Sequence, residues 1–181
     1  EHPDVASSLN NLASLLQIQG AYVEARPLYE RALAIREKAL GPEHPKVANS
    51  LNNLASLLQS QGFFSEVRPL HERSLAIWEK SLGPEHPKVA NSLNNLAALL
   101  QLQGAYVEAR PLFDRALAIR EKALGPGHPD VAQSLNNLAK LLGAQGSYGE
   151  ARPLYERSLA IREEALGPNH PSVALARNNL A

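Results

Sequence analysis

Cysteine is absent from the 181 residues, which excludes disulfides and thiolate metal sites and leaves the redox compartment open. An excess of either charge is missing too. Lys and Arg number 18, as do Asp and Glu, so the chain sets up no long-range field to draw in nucleic acid or an anionic membrane. No apolar run approaches the roughly 18 residues of a transmembrane helix. The first residues, Glu1-His2-Pro3-Asp4, do not resemble a signal peptide. The chain reads as soluble and cytoplasmic. It starts inside a repeating unit and without methionine, so it reads as a piece of a longer protein, with any targeting signal expected outside it. No nucleophile–base pair, glycine-rich phosphate loop or carboxylate constellation stands apart from the repeating pattern. The expectation is a non-enzyme with no cofactor and no metal.

What the chain does have is a period. The pair His-Pro returns at His2, His44, His86, His128 and His170, a constant spacing of 42 residues, and the text between follows the same pattern each time. Self-similarity at one period means a stack of equal units in which neighbours make the contacts. We read one array over residues 1–181, with units 2–43, 44–85, 86–127 and 128–169 and a partial unit 170–181 that acts as a capping helix. Such a stack leaves no room for a separate catalytic domain.

Each unit holds two apolar patterns of helical period separated by a glycine. The first predicts a helix from Pro3 to about Gln19, with proline at its first position and Gly20 as its stop. Val5, Leu9, Leu12, Ala13 and Leu16 form its expected buried stripe. The second predicts a helix from Tyr22 or Val23 to Leu40, stopped by Gly41-Pro42, with Ala25, Leu28, Ala32, Ile35 and Ala39 on one stripe and Tyr29, Leu33 and Leu40 beside it. Pro27 is awkward, because a proline several positions inside a helix removes one hydrogen bond and crowds the preceding turn. Either that helix starts near Glu24 or its first turn is distorted.

Aligned at Leu9, Leu12, Ala13, Leu16, Gly20, Tyr22, Ala25, Tyr29 and Ala32, the unit resembles a tetratricopeptide repeat. The common unit of that family has about 34 residues. The longer form here, HPxVAxSLNNLAxLL followed by QGxYxEARPLxERxLAIREKxLGP, is similar to the repeats of kinesin light chains and of many bacterial tetratricopeptide proteins. The resemblance implies an all-α fold, a right-handed α-solenoid of antiparallel helix pairs. It also implies a non-catalytic scaffold for protein–protein interaction, whose concave groove binds an extended peptide of a partner.

On the first helix, the face opposite the buried stripe carries Ser7, Asn11, Ser14 and Ile18. Its central position repeats as Asn11, Asn53, Asn95, Asn137 and Asn179. An amide offers two donors and an acceptor, which suits it to bridging the backbone of an extended peptide whatever its sequence. The resemblance implies that role for these five. A purely structural alternative has them bonding between adjacent helices. Ser14, Ser56 and Lys140 join the asparagines as candidate contacts, and Asn10, Asn52, Asn94 and Asn136 are expected to make structural bonds at the flank. Arg26, Arg68, Arg110 and Arg152 offer either a basic rim or ion pairs with Glu30 and its equivalents one turn later. The five histidines that precede proline, His2, His44, His86, His128 and His170, one per unit, are too far apart to share a metal ion and read as helix-entry residues. The second unit departs at Phe63, Phe64, Val67, His71 and Trp78, read as compensating packing with Trp78 buried, or as an exposed anchor at Phe63 and Trp78.

The partner is expected to be a protein or peptide, with nucleic acid and membrane excluded. Two rival readings are a structural spacer, including an array that self-associates end to end, and the sensor arm of a larger regulatory NTPase.

Overall fold

The fold is described from a computed structural model, which covers residues 2–180. Among the described residues there are nine α-helices and no strand: α1 (Pro3–Ile18), α2 (Tyr22–Leu40), α3 (Pro45–Ser60), α4 (Phe64–Leu82), α5 (Pro87–Leu102), α6 (Tyr106–Leu124), α7 (Pro129–Ala144), α8 (Tyr148–Leu166) and α9 (Pro171–Asn178). None of them is long and apolar enough to cross a membrane. The helices group into two compact units, Glu1–Pro84 and Glu85–Ala181. In the first, α1 pairs with α2, α3 pairs with α4, and α2 packs on α3. In the second, α5 pairs with α6, α7 with α8, α6 packs on α7, and α9 lies on α8. Each unit is a stack of helix pairs.

The punctuation works as its chemistry requires. The odd-numbered helices are entered through His-Pro, with the histidine in extended conformation and its Nδ1 accepting a hydrogen bond from the backbone N–H two residues on, at 3.1 Å for His44 and Lys46. The imidazole thus does the work usually done by Ser, Thr, Asp or Asn at a helix N-cap. At the other end of α1, the Ala21 N–H reaches back to the Leu16 carbonyl at 2.9 Å and the Gly20 N–H to Gln17 at 3.1 Å. That pair of bonds needs a left-handed residue, and Gly20 supplies it at φ 78°. Gly41 ends α2 at φ 89° and ψ 154°, a region open only to glycine.

The helix containing Pro27 starts at Tyr22 and runs through the proline unbroken. Pro27 and Val23, whose carbonyl loses its partner, both lie on the exposed side, where water can take the bond.

Alanines sit where helices come closest, with Ala13, Ala25 and Ala32 fully buried. Three expected core positions are corrected, and the first, Val5 of α1, is 39% exposed although its equivalents Val47 and Val131 are 0% exposed. Leu12 of α1 is 48% exposed, although its equivalents Leu54 and Leu138 are 6% exposed, because the stripe is covered by the pair before it and no described pair precedes α1. Ala39 is exposed because α2, at 19 residues, outruns the 16-residue α1 beside it.

In the second unit of the repeat the unusual residues Val67, His71 and Trp78 are all buried. Burial of Trp78 to 3% exposure removes it from any exposed anchor, leaving Phe63 at 45%, with the Arg26 guanidinium 5.7 Å from its ring centre. His71 Nδ1 lies 3.2 Å from Asn52 Oδ1. A carbonyl oxygen only accepts, so that nitrogen carries the ring proton. Desolvation pushes the His71 pKa down from 6.5 to about 4.

Two predictions follow from these contacts. Replacing His44 by Ala removes the N-cap acceptor and should cost about 0.5–2 kcal/mol in urea unfolding, whereas His44→Asp, itself a good cap, should restore most of it. Between pH 6.5 and about 4 the unfolded chain takes up a proton at residue 71 that the folded chain refuses, so stability must fall as pH falls through that window. The loss from this residue is on the order of 3 kcal/mol. His71→Phe, which copies Phe113 of the third repeat, should flatten the unfolding midpoint across the same window.

Candidate functional site

The face expected to be open is open. Ser7, Asn11 and Ile18 of α1, Asn49, Ser56 and Ser60 of α3, Asn91 and Asn95 of α5, and Gln133 and Lys140 of α7 are exposed. Ser14, Asn53 and Asn137 are half-buried. Asn179 is exposed just beyond α9.

The asparagines are tied across successive repeats. The Asn53 amide donates to Asn10 Oδ1 at 2.9 Å, Asn137 to Asn94 Oδ1 at 3.4 Å and Asn179 to Asn136 Oδ1 at 2.8 Å. The second asparagine of one repeat therefore clasps the first asparagine of the repeat before it. Each clasp uses one N–H of the donor amide and leaves its other N–H and its carbonyl oxygen unused by that bond. The flanking asparagines are held in turn, with Asn94 donating to the Ala90 carbonyl at 2.9 Å and Asn52 facing His71.

Two hollows bring predicted residues together. In the first unit, a hollow of about 410 Å³ is lined by Ser14, Asn53 and Ser56, with Gln17, Tyr22 and Tyr29 around them. Gln17 bridges its walls, donating to Ser56 Oγ at 3.3 Å and accepting from the Tyr29 hydroxyl at 3.1 Å. In the second unit, one of about 530 Å³ is lined by Asn95 and Asn137, with Asn91, Asn94, Gln133 and Asp130. Asn179 lines a separate hollow with Tyr148 and Tyr155. Neither Asn11 nor Lys140 lines any of the three.

Sequence reasoning missed a buried arginine at the floor of this face. Arg120, 5% exposed, donates through Nη1 to Ser134 Oγ and the Asp130 carbonyl, both at 2.8 Å, and through Nη2 to Asn91 Oδ1 at 2.7 Å. Arg36 does the same in the first unit, reaching Ser50 Oγ at 2.7 Å and Ser7 Oγ at 3.4 Å. Each guanidinium thus joins its own helix pair to the next one. Burial holds both below the ordinary arginine range, and the Nε of each is buried with no partner among the described residues. The signal was legible, since Arg36 follows Ala25, Tyr29 and Ala32 on one helical stripe.

The arginine rim is neutralised. Arg26 bonds Glu30 and Glu66, both at 2.8 Å, Arg68 bonds Glu72 at 2.8 Å, and Arg110 reaches Glu150 at 2.9 Å. The Glu30 and then the Glu66 hydrogen bond raise the Arg26 pKa further. Farther along, Arg73 pairs with Glu37, Arg157 with Glu121, Lys80 with Glu43 and Lys122 with Glu85. The ion-pair alternative is the one observed, and the rim offers no free stripe of positive charge for an acidic ligand.

The tetratricopeptide repeat family model matches the chain at residues 4–67, 47–121, 89–164 and 135–181. No curated protein matches. Among solved structures it is similar to the nearly identical TPR-like repeats of a Podosopora anserina protein provisionally described as a kinesin light chain, at 36% identity and a TM-score of 0.84, covering 99% of this chain and 85% of that one. A variant of that protein gives 34% identity and 0.86, with the same coverage. BtubC (BKLC) from P. vanneervenii gives 27% identity and 0.86, covering 98% of this chain and 71% of the other. With matches that overlap from residue 4 to residue 181, the chain belongs to the tetratricopeptide repeat family, whose repeats mediate protein–protein interaction.

Proposed function

We propose that the four helix pairs act as one array that holds an extended segment of a partner protein along the asparagine-bearing face, without catalysis. The observation that carries this reading is the half-used state of the clasped amides. A residue kept only to tie repeats together has no need of an open position, yet Asn53 and Asn137 are half-exposed and each keeps an oxygen and an N–H outside its clasp. Those two groups match the N–H and C=O of a peptide backbone, and the sequence supplies one such asparagine in every repeat. Ser14, Ser56 and Lys140 would add side-chain contacts, and Asn11, Asn95 and Asn179 extend the row.

The clasps also pre-set the amides. An asparagine side chain fixed by one bond loses less freedom when a ligand takes its second and third, so less of the binding energy is lost to ordering. A neutral face suits recognition of main chain over recognition of charge, because the nearby arginines are already paired.

A peptide-library screen on this chain and on a variant carrying Asn53→Ala, Asn95→Ala and Asn137→Ala tests the proposal. Enriched peptides should bind the folded variant at least about tenfold more weakly, roughly 1.4 kcal/mol. The control is Asn10→Ala, which removes a clasp and leaves the row itself in place. It should lower stability by about 1 kcal/mol and weaken binding far less than the triple variant does, by the lost pre-ordering of Asn53 alone. Equal losses in the two variants would mean that the asparagines serve only the stack, and undiminished binding in the triple variant would move the site elsewhere.

A further inference from the structure

The hollow of about 410 Å³ in the first unit has an uncharged wall. It is made of the hydroxyls of three serines and two tyrosines, the amides of Gln17 and Asn53, and Ile18, all from α1, α2 and α3. Its size falls in the range of sites that enclose a ligand group, about 300–1,000 Å³. No counter-ion waits beside it, since Arg26, on the same helix as both tyrosines, is paired with Glu30 and Glu66. The open rim belongs to the groove: Ile18 is 82% exposed, and its equivalent Leu102 on α5 is 63% exposed.

The molecule itself shows which chemistry this wall satisfies. Gln17 stretches its carboxamide across the hollow, Nε2 donating to Ser56 Oγ at 3.3 Å and Oε1 accepting from the Tyr29 hydroxyl at 3.1 Å. Tyr29 is buried, and burial raises its pKa, so the phenol keeps the proton it donates. The Ser60 hydroxyl is turned onto the Ser56 carbonyl at 3.0 Å, which leaves its oxygen free to accept by that bond. The Asn53 clasp leaves one N–H and an oxygen, and the Gln17 bridge leaves one N–H. A wall with donors and acceptors side by side answers a group that has both. A carboxamide does. A carboxylate only accepts and an ammonium only donates, and either would carry in a charge that no lining residue balances.

The later repeats build the same place differently. Ala98, Phe113, Lys140 and Ala144 stand where the first unit has Ser14, Tyr29, Ser56 and Ser60, so four of the five hydroxyls are gone and an exposed charge has entered. The neutral hydroxyl wall is therefore a feature of this hollow and not of the repeat. Resting on the peptide-holding reading above, we infer that the hollow selects one residue of the bound segment, an uncharged carboxamide side chain of glutamine or asparagine, and that Ser56 sets this choice by keeping the wall free of charge.

Peptides enriched on the unaltered chain, resynthesised with Gln, Glu and Lys at each position in turn, test this. Gln and Glu have nearly the same shape, so the difference between them reads charge. One position should favour Gln over both Glu and Lys by about tenfold or more in Kd. In Ser56→Lys, which copies the fourth repeat at an exposed position, Glu there should bind at least as well as Gln and Lys should bind worse still, with circular dichroism unchanged. Glu and Lys tolerated at every position, or a preference for Gln that Ser56→Lys does not move, overturns the inference. The triple asparagine variant separates this choice from the groove itself. Binding lost in that variant, with a flat scan on the unaltered chain, removes the choice of residue alone, whereas binding kept in it removes the groove and the choice together.

Discussion

No helix pair in this chain can bury its own apolar surface. The odd-numbered helices carry leucines on two sides of the alanine ridge, and the partner helix of the pair covers only one of them. The other is covered when the second helix of the preceding pair leans on it, which is why Leu54 is buried and Leu12, with the same neighbours in sequence, is not. Within each compact unit a core built this way passes from one helix pair to the next, and stability becomes a sum of pair terms and joint terms. The constraint explains the alanines, since Ala13, Ala25 and Ala32 mark the lines of closest approach and a larger side chain there would push a joint apart.

Polar groups were then fitted to the joints. Arg36 and Arg120 each tie three helices together through serine hydroxyls, asparagine and backbone carbonyls, without a carboxylate in the first circle of partners. Buried charge with such partners stays in place only when the geometry is good, and removal of any one partner would leave it costly. The asparagine clasps lie at the same joints, nearer the open face. In Ser74 and Ser158 the core accepts a hydroxyl where other repeats have alanine, because each finds a carbonyl across the pair, Ala48 at 3.2 Å and Ala132 at 2.7 Å. Stacking and, in the proposed function, recognition thus draw on neighbouring atoms of one surface.

Helix limits were legible in the text of the repeat to within a residue, because Pro, Gly20 and Gly41-Pro act through local backbone geometry that needs no tertiary information. The open face of the odd helices was legible too, from angular position alone. The direction of the asparagine bonds was not. A helical wheel places Asn53 on a face but cannot say that its amide reaches 43 residues back to Asn10. Arg36 was passed over because a charged residue on an apolar stripe reads as an interruption, although a guanidinium can be buried when hydroxyls and carbonyls surround it. The exposure of Leu12 and Ala39 depends on what lies alongside, which periodicity does not contain.

The central claim is that one asparagine side chain holds a neighbouring repeat and a bound peptide at the same time. Side-chain amide signals of a ¹⁵N-labelled chain, followed while a peptide selected for binding is added, address it directly. If the claim holds, the Asn53 and Asn137 amide pairs shift on binding while the Asn10 and Asn94 carbonyls keep their clasps, seen as undisturbed coupling across the hydrogen bonds. Signals from these amides that stay still as peptide binds, or clasps that break when it does, would contradict it.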